Sequence, residues 1–344
     1  MCNIAGYVGE RDAAPILIGM IKREEGFAGG YYTGIATLSG GRLYHAKLTG
    51  DTDRLLALTG AAGFPGHIGI MHSRSKSGGG DAWAHPFIGT GGRTAYIANG
   101  SAGCFRDSPS RNEQTRRLAA AGVEFSSACP EKIGAYPTLA DGSSVHVSET
   151  MCHLITEKTE GGTPLAEAIA AAFSEMPSEI IGLALSSDEP DRIGWGRVNA
   201  PGCVGFASHG AYIATTSAAF PDDVERIEYL PAMSAGSVTA GGMTSFPIDP
   251  PLCRIAPDLI GTEEIARRIE AAVSVRPMRI SELSRAVADL FGPADCAPVR
   301  AAVYPAVAKL LAGGRATVVR TEVPGAAAGI TAPAFRIAAA GSAT

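Results

Sequence analysis

Cys2 is the residue whose type and position most directly suggest chemistry. Removal of the initiator methionine from Met1-Cys2-Asn3-Ile4-Ala5-Gly6 would leave a thiol and a free α-amine on one residue. An α-amine titrates at ~7.7–8.0 and a free thiol at ~8.5, so near neutral pH the amine can take the thiol's proton, directly or through one water. Such a nucleophile carries its own base and needs no second residue to supply one. The same position also suits a small buried hydrophobe on a first strand. The other cysteines, Cys104, Cys129, Cys152, Cys203, Cys253 and Cys296, are scattered without a C-x-x-C pair. Neither a disulfide framework nor a zinc site is indicated.

A thiol so near the start of the chain acts only if a first strand and several loops hold it against other functional groups. Short β-type runs separated by glycine-rich turns are predicted at residues 2–8, 67–72, 94–99, 180–186, 204–207 and 212–215. Helical stretches are predicted at 13–22, 53–58 and 164–175, the last with apolar residues at helical spacing. The fold class is α+β with layered sheets. The 43 glycines imply many tight turns, which suits a site assembled from loops.

The run Phe246-Pro247-Ile248-Asp249-Pro250-Pro251 breaks this rhythm and reads as a linker. Beyond it, helices are predicted at 262–272, 280–291 and 298–311, followed by strands at 315–323 and 334–338. Three helices and a hairpin is the element order of a winged helix-turn-helix. The division is a domain over residues 1–245, a linker over 246–258 and a winged-helix-like domain over 259–338.

A chain of 344 residues suggests two domains, and 46% hydrophobic against 18% charged residues is ample for a sizeable core. A net charge of -5 points to neither a polyanion nor an acidic membrane surface as partner. No basic segment followed by an apolar one, and no stretch able to span a bilayer, is apparent. A cytoplasmic protein with reduced thiols and no membrane partner is expected.

Four ordered motifs carry a resemblance. The start Cys2-Asn3-Ile4-Ala5-Gly6, the segment His67-Ile68-Gly69-Ile70-Met71-His72-Ser73-Arg74, then Ala84-His85-Pro86 and Ile97-Ala98-Asn99-Gly100 follow one another as in class II glutamine amidotransferases. Over residues 2–242 the chain most resembles the glutaminase domain of glucosamine-6-phosphate synthase. The resemblance implies a four-layer αββα sandwich of the N-terminal nucleophile type. It also implies that Cys2 attacks the γ-carboxamide of glutamine, expels ammonia and leaves a γ-glutamyl thioester for water to hydrolyse. The Asn99 side-chain amide and the Gly100 backbone N–H would hold the developing oxyanion, and a donor so aimed contributes about 3–4 kcal/mol. Arg74 would fork onto the substrate α-carboxylate, with His85 in the same pocket. Taken singly, Asn99-Gly100 is also a hairpin-turn signal, Arg74 a surface cation and His85 a satisfied loop residue. No metal or organic cofactor is implied.

Departures from the family pattern fall around the same pocket. Asn3 replaces the glycine after the nucleophile. Arg74-Ser75-Lys76-Ser77-Gly78-Gly79 loses a tryptophan and a histidine, although the Ser77 hydroxyl remains available to a carboxylate. The family's Asp-Thr-Glu, whose aspartate binds the substrate α-ammonium, aligns with Val147-Ser148-Glu149, leaving Glu149 or Asp141 to reach in. Nothing like the sugar-phosphate isomerase domain of the synthase follows residue 250. The first expectation is therefore a glutamine amidotransferase or glutaminase that feeds ammonia to a separate acceptor protein or works within a homo-oligomer. The others are an amidohydrolase acting on a different small amide, and a ligand-sensing regulator with a winged-helix output. Basic residues barely exceed acidic ones after residue 258, which favours partner docking over DNA binding.

Overall fold

The computed structural model describes residues 2–249, 251–254, 262–292 and 298–341. The first elements are β1 (Asn3–Gly9), α1 (Ala13–Ala28), β2 (Tyr32–Ser39), β3 (Arg42–Thr49), α2 (Thr52–Leu58), β4 (Ile68–Arg74), β5 (Phe87–Ile88) and β6 (Thr94–Ser101). Next come α3 (Ser110–Ala120), α4 (Val147–Glu160), α5 (Leu165–Glu175), β7 (Glu179–Ser186), β8 (Ile193–Arg197), β9 (Cys203–Ala207) and β10 (Gly210–Ala214). The strands β11 (Arg226–Tyr229), β12 (Ser234–Thr239) and β13 (Gly242–Pro247) complete the sheets.

One sheet has the order β11-β9-β10-β1-β4-β2-β3 and the other β13-β12-β8-β7-β6-β5. Strand alternation sorts β1 between two cores: Ile4 and Val8 enter the layer between the sheets, while Ala5 and Tyr7 face α1. Ile70, Ile97, Leu183, Ile193, Trp195 and Ile213 fill that central layer. Leu17, Met20 and Ile21 of α1, with Leu55 of α2, cover the outside of the first sheet. Leu154 and Ile155 of α4, with Ile169 and Phe173 of α5, cover the second. The layers thus run helix, sheet, sheet, helix, in agreement with the expected αββα arrangement.

Two features differ from the sequence reading. Helix α1 continues to Ala28 because Glu24 and Glu25, which look like a polar stop, are buried beneath it. The expected linker begins later than residue 246, since Phe246 and Pro247 pair with Ala235 and Ser234 on the edge of the second sheet. Ile248 extends the attachment by donating its N–H to the Met233 carbonyl at 2.8 Å. Residues 250 and 255–258 of that linker, like Cys296, lie outside the described residues.

The remaining elements are α6 (Thr262–Val273), α7 (Ile280–Ala286), α8 (Val299–Ala312), β14 (Ala316–Pro324) and β15 (Thr331–Ala339), the two strands forming a hairpin. They share a core of Ile265, Ile269, Leu283, Val303, Leu310 and Ile337. This unit docks on α1, where the Phe335 ring stands edge-on to Phe27 at 5.2 Å. A Cβ on Gly26 would come within 2.2 Å of the Phe335 ring, so the contact requires glycine. Among the described residues no helix is long and apolar enough to cross a membrane.

The buried carboxyl of Glu25 accepts hydrogen bonds from the Thr52 N–H at 3.2 Å and hydroxyl at 2.8 Å. Burial raises this group from 4.5 to about 7 against the lowering effect of Thr52. The folded state therefore retains a proton that the unfolded chain releases, and the associated stability is complete below about 4.5 and lost as pH rises through about 7. Glu25→Gln is predicted to gain in Tm over the parent between about pH 5 and about pH 8. Thermal unfolding across that range tests this, and a Tm difference independent of pH would refute it.

Candidate active site

Four chain segments converge where the two sheets meet. Cys2 precedes β1, Arg74 closes β4, His85 lies in the turn before β5, and Asn99 and Gly100 lie near the end of β6. The Cys2 N–H donates to the Asn99 side-chain oxygen Oδ1 at 2.8 Å. Beside it, His72 Nε2 is hydrogen-bonded to the Ala98 carbonyl at 3.0 Å. These contacts place the Cys2 side chain, 8% exposed, on the wall of a cavity of about 380 Å³. Arg74, Ser75, Ser77, His85 and Gly100 line the same cavity.

Asn99 itself is fully buried, and its Nδ2 amide has no hydrogen-bond partner. Gly100 has φ of +146°, and a Cβ there would lie 2.1 Å from the Glu179 carbonyl oxygen. That backbone shape suits glycine and leaves a main-chain group at the cavity edge.

The thiol differs electrostatically from the other buried cysteines. Burial acts to raise it, but the charge and hydrogen bonding of the adjacent His72 imidazole prevail and bring Cys2 from 9.0 down to about 6. Burial leaves Cys152 and Cys203 far above the ordinary thiol value. His85 and His146 are pushed well below the usual histidine range, first by burial and then by neighbouring cationic groups. His72 and His85 lie with ring centroids 4.0 Å apart, and His85 and His146 with theirs 5.0 Å apart. His146 Nδ1 accepts from the Ser148 N–H at 3.1 Å, so this ring opens α4 as a neutral cap.

Arg74 is 1% exposed and donates to the Gly78 carbonyl at 3.0 Å and the Tyr136 hydroxyl at 3.3 Å. Its guanidinium stacks over Tyr32 at 4.7 Å. No carboxylate forms a salt bridge with it among the described residues, and its hydrogen bonds hold the guanidinium in place at the cavity wall. Ser77 donates its hydroxyl to the Ser75 carbonyl at 3.2 Å. Asn3 points away from the thiol, into the layer beneath α1, where it meets Glu24 and Tyr304.

Glu149 is placed differently from the expectation. Its two carboxylate oxygens accept hydrogen bonds from the backbone N–H and hydroxyl of both Ser126 and Ser127, and it does not line the cavity. Asp141 is exposed and accepts from the Ser143 N–H at 2.9 Å. Neither carboxylate reaches the cavity wall, whereas Val147 does.

Several wall residues were not singled out from the sequence: Arg106, Arg111, Tyr136 and His146, together with His72 behind the thiol. For His72 a signal existed. Strand alternation puts Ile70, His72 and Arg74 on one face of β4, so a histidine between a core residue and a cavity-lining arginine faces the site.

No family model matches the chain. Over 228 residues it is 32% identical to glutamine–fructose-6-phosphate aminotransferase (isomerizing) from Streptomyces coelicolor, covering 64% of this chain and 32% of that protein. It is 25% identical over 259 residues to the protein of the same name from Xylella fastidiosa, covering 73% and 38%. The chain thus spans about a third of the length of these curated relatives. In fold it is similar to the glutamine phosphoribosylpyrophosphate amidotransferase of B. subtilis, with a TM-score of 0.56 at 18% identity over 77% of this chain and 52% of that one. A solved allosteric regulatory enzyme of purine biosynthesis gives a TM-score of 0.58 at 17% identity over 80% and 59%.

The lowered thiol makes a reactivity prediction. Cys2 is a thiolate above about pH 6 and loses that form as pH falls through this value, while Cys152 and Cys203 remain protonated thiols. Iodoacetamide at about pH 6.5 should therefore label Cys2 ahead of both. His72→Gln should move the Cys2 inflection upward by roughly one unit or more. Site-resolved mass spectrometry measures both, and an inflection at the free-thiol value in the parent would contradict the assignment.

Proposed function

We propose that this chain, similar to class II glutamine amidotransferases in sequence and in fold, cleaves a primary carboxamide with Cys2 after removal of Met1. The thiolate adds to the amide carbon, and the carbonyl π electrons move onto oxygen. Asn99 Nδ2 and the Gly100 N–H stabilise that oxygen, while Asn99 Oδ1 orients the Cys2 nitrogen. Collapse breaks the C–N bond, ammonia leaves with a proton returned by the α-amine, and a thioester remains. Water then adds to the thioester, the thiolate departs, and a carboxylate is released. The net reaction is amide plus water to carboxylate plus ammonium.

The observation that carries this reading is the 2.8 Å bond from Cys2 N to Asn99 Oδ1. It sets a thiol of lowered pKa beside an asparagine whose remaining amide group is buried without a hydrogen-bond partner; Cys2, Ala98 and Gly100 line the cavity, and Asn99, between the last two, does not. Glutamine, or an amide related to it, is the substrate, and Arg74 receives its remote carboxylate with Ser77 and His85 nearby. The two-sheet unit, expected over residues 1–245 and extended by the pairing of 246–248, forms the catalytic unit. The winged-helix-like unit over 259–338 serves as a docking element for the protein that consumes the ammonia, and the enzyme acts in the cytoplasm.

Cys2→Ala is predicted to abolish ammonia release without loss of fold. Asn99→Asp keeps the oxygen that holds the Cys2 nitrogen but removes the amide donor, and should lower kcat by roughly 10²–10³-fold. Steady-state ammonia assays and circular dichroism test both. Ammonia release by Cys2→Ala at the parental rate would end the proposal.

A further inference from the structure

The cavity beside Cys2 is lined by cationic residues and, among the described residues, by no acid. Arg74, Arg106 and Arg111 line it, and no aspartate or glutamate does among the described residues. None of the three arginines forms a salt bridge among the described residues, whereas arginines elsewhere, such as Arg93, Arg117 and Arg315, are paired with carboxylates. Arg74 and Arg111 are 1% and 8% exposed. Arg111 donates to the Ala135 and Arg106 carbonyls, but its Nε has no partner. Asp107, adjacent in sequence to Arg106, is exposed and stands outside the wall.

Asp107 acts on Arg111 through its charge, against burial and the neighbouring Arg106, while Arg74 has no carboxylate salt bridge among the described residues. A buried guanidinium so placed costs free energy unless a ligand supplies the missing negative charge. The two candidate acids are unavailable, because Glu149 is saturated by Ser126 and Ser127 and Asp141 faces solvent. The first turn of α4 instead presents Val147, Ser148 and Met151 to the cavity. A substrate ammonium in this space would meet like charges and an apolar side chain. A second carboxylate or a neutral group would not.

Resting on the proposed amide cleavage at Cys2, we infer that the substrate is an anionic monoamide of a dicarboxylic acid that carries no α-ammonium. Its remote carboxylate is held by Arg74 and Arg111, and the carbon that would bear the ammonium of glutamine lies against Val147. Hydrogen, oxo or acylated nitrogen fits there. Cleavage converts the monoamide and water into the dicarboxylate and ammonium.

The test compares glutaramate with L-glutamine, which differ only by the ammonium. For the parent protein, kcat/KM for ammonia release should favour glutaramate by about tenfold or more. Val147→Asp should reverse that order. Product-side binding gives a readout independent of turnover: glutarate should protect Cys2 from iodoacetamide at concentrations where L-glutamate does not, and Arg111→Gln should weaken that protection. Equal or better use of L-glutamine by the parent overturns the inference and leaves amide cleavage standing. Absence of turnover with both amides, combined with selective protection by glutarate, overturns amide cleavage and supports the anion selectivity. Protection by neither acid, or by both equally, overturns the inference.

Discussion

The hydrogen bond from the Cys2 nitrogen to Asn99 Oδ1 ties the beginning of the first sheet to the end of a strand in the second. Its neighbour, the contact from His72 Nε2 to the Ala98 carbonyl, makes the same crossing one residue earlier on β6. Packed sheets ordinarily meet through apolar side chains, and here Ile4, Ile70 and Ile97 do so just inside the site. At the edge of that layer the contact changes from apolar to polar, so the groups left over become the site. These are a thiol, an imidazole and one unpartnered amide. The position of the Cys2 thiol is thus set by the packing of two sheets and not by a loop of its own.

Electrostatics around this seam separates charged from neutral groups. Among the clustered histidines, burial drives His85 and His146 well below the usual histidine range and they act as neutral spacers. Positive charge on the cavity wall is therefore carried by arginines, which do not lose their protons. The lowered thiol and the arginines Arg74, Arg106 and Arg111, which form no salt bridge among the described residues, line one cavity. Gly34 contributes by absence: a Cβ there would lie 2.1 Å from the His85 carbonyl, so glycine lets the His85 turn approach β2.

Much of the frame was legible in the sequence, and the reasons are local. β1, β4, β6, β7, β9 and β10 are short apolar runs bounded by turn residues, and each was expected within a few residues of its observed span. Helix α4 was not expected. Residues 148–156 are buried on every side, which removes the apolar stripe that marks a surface helix. The hairpin of β2 and β3 was also missed. Its β2 strand carries Gly34, and β3 at the sheet edge is only partly buried. Of the residues lining the cavity, Cys2, Arg74, His85 and Gly100 were picked out because their motifs are contiguous. Arg106 and Arg111 follow the Asn-Gly pair by several residues in a turn and a polar helix, where nothing distinguishes a cavity arginine from a solvated one until the chain folds back. Glu149 failed as an expectation because its two serine partners lie more than twenty residues upstream.

The carboxy-terminal unit bears on the Cys2 segment through α1. That helix packs against β1 on one side, and Phe27 near its end receives Phe335 and Tyr304 on the other. Tyr304 also reaches the layer where Asn3 and Glu24 are buried, behind the strand that begins at Cys2. The Asn3 side chain, next to Cys2 in sequence, is therefore accommodated by a residue of α8, more than three hundred positions away. A displacement of α8 would uncover Asn3 and the buried Glu24 together, and the carboxyl of Glu24, held far above its usual value by burial, would then ionise. The docking of the last helices and the placement of the first strand are consequently one packing problem. This makes the carboxy-terminal unit a structural support of the site, whatever else docks on it.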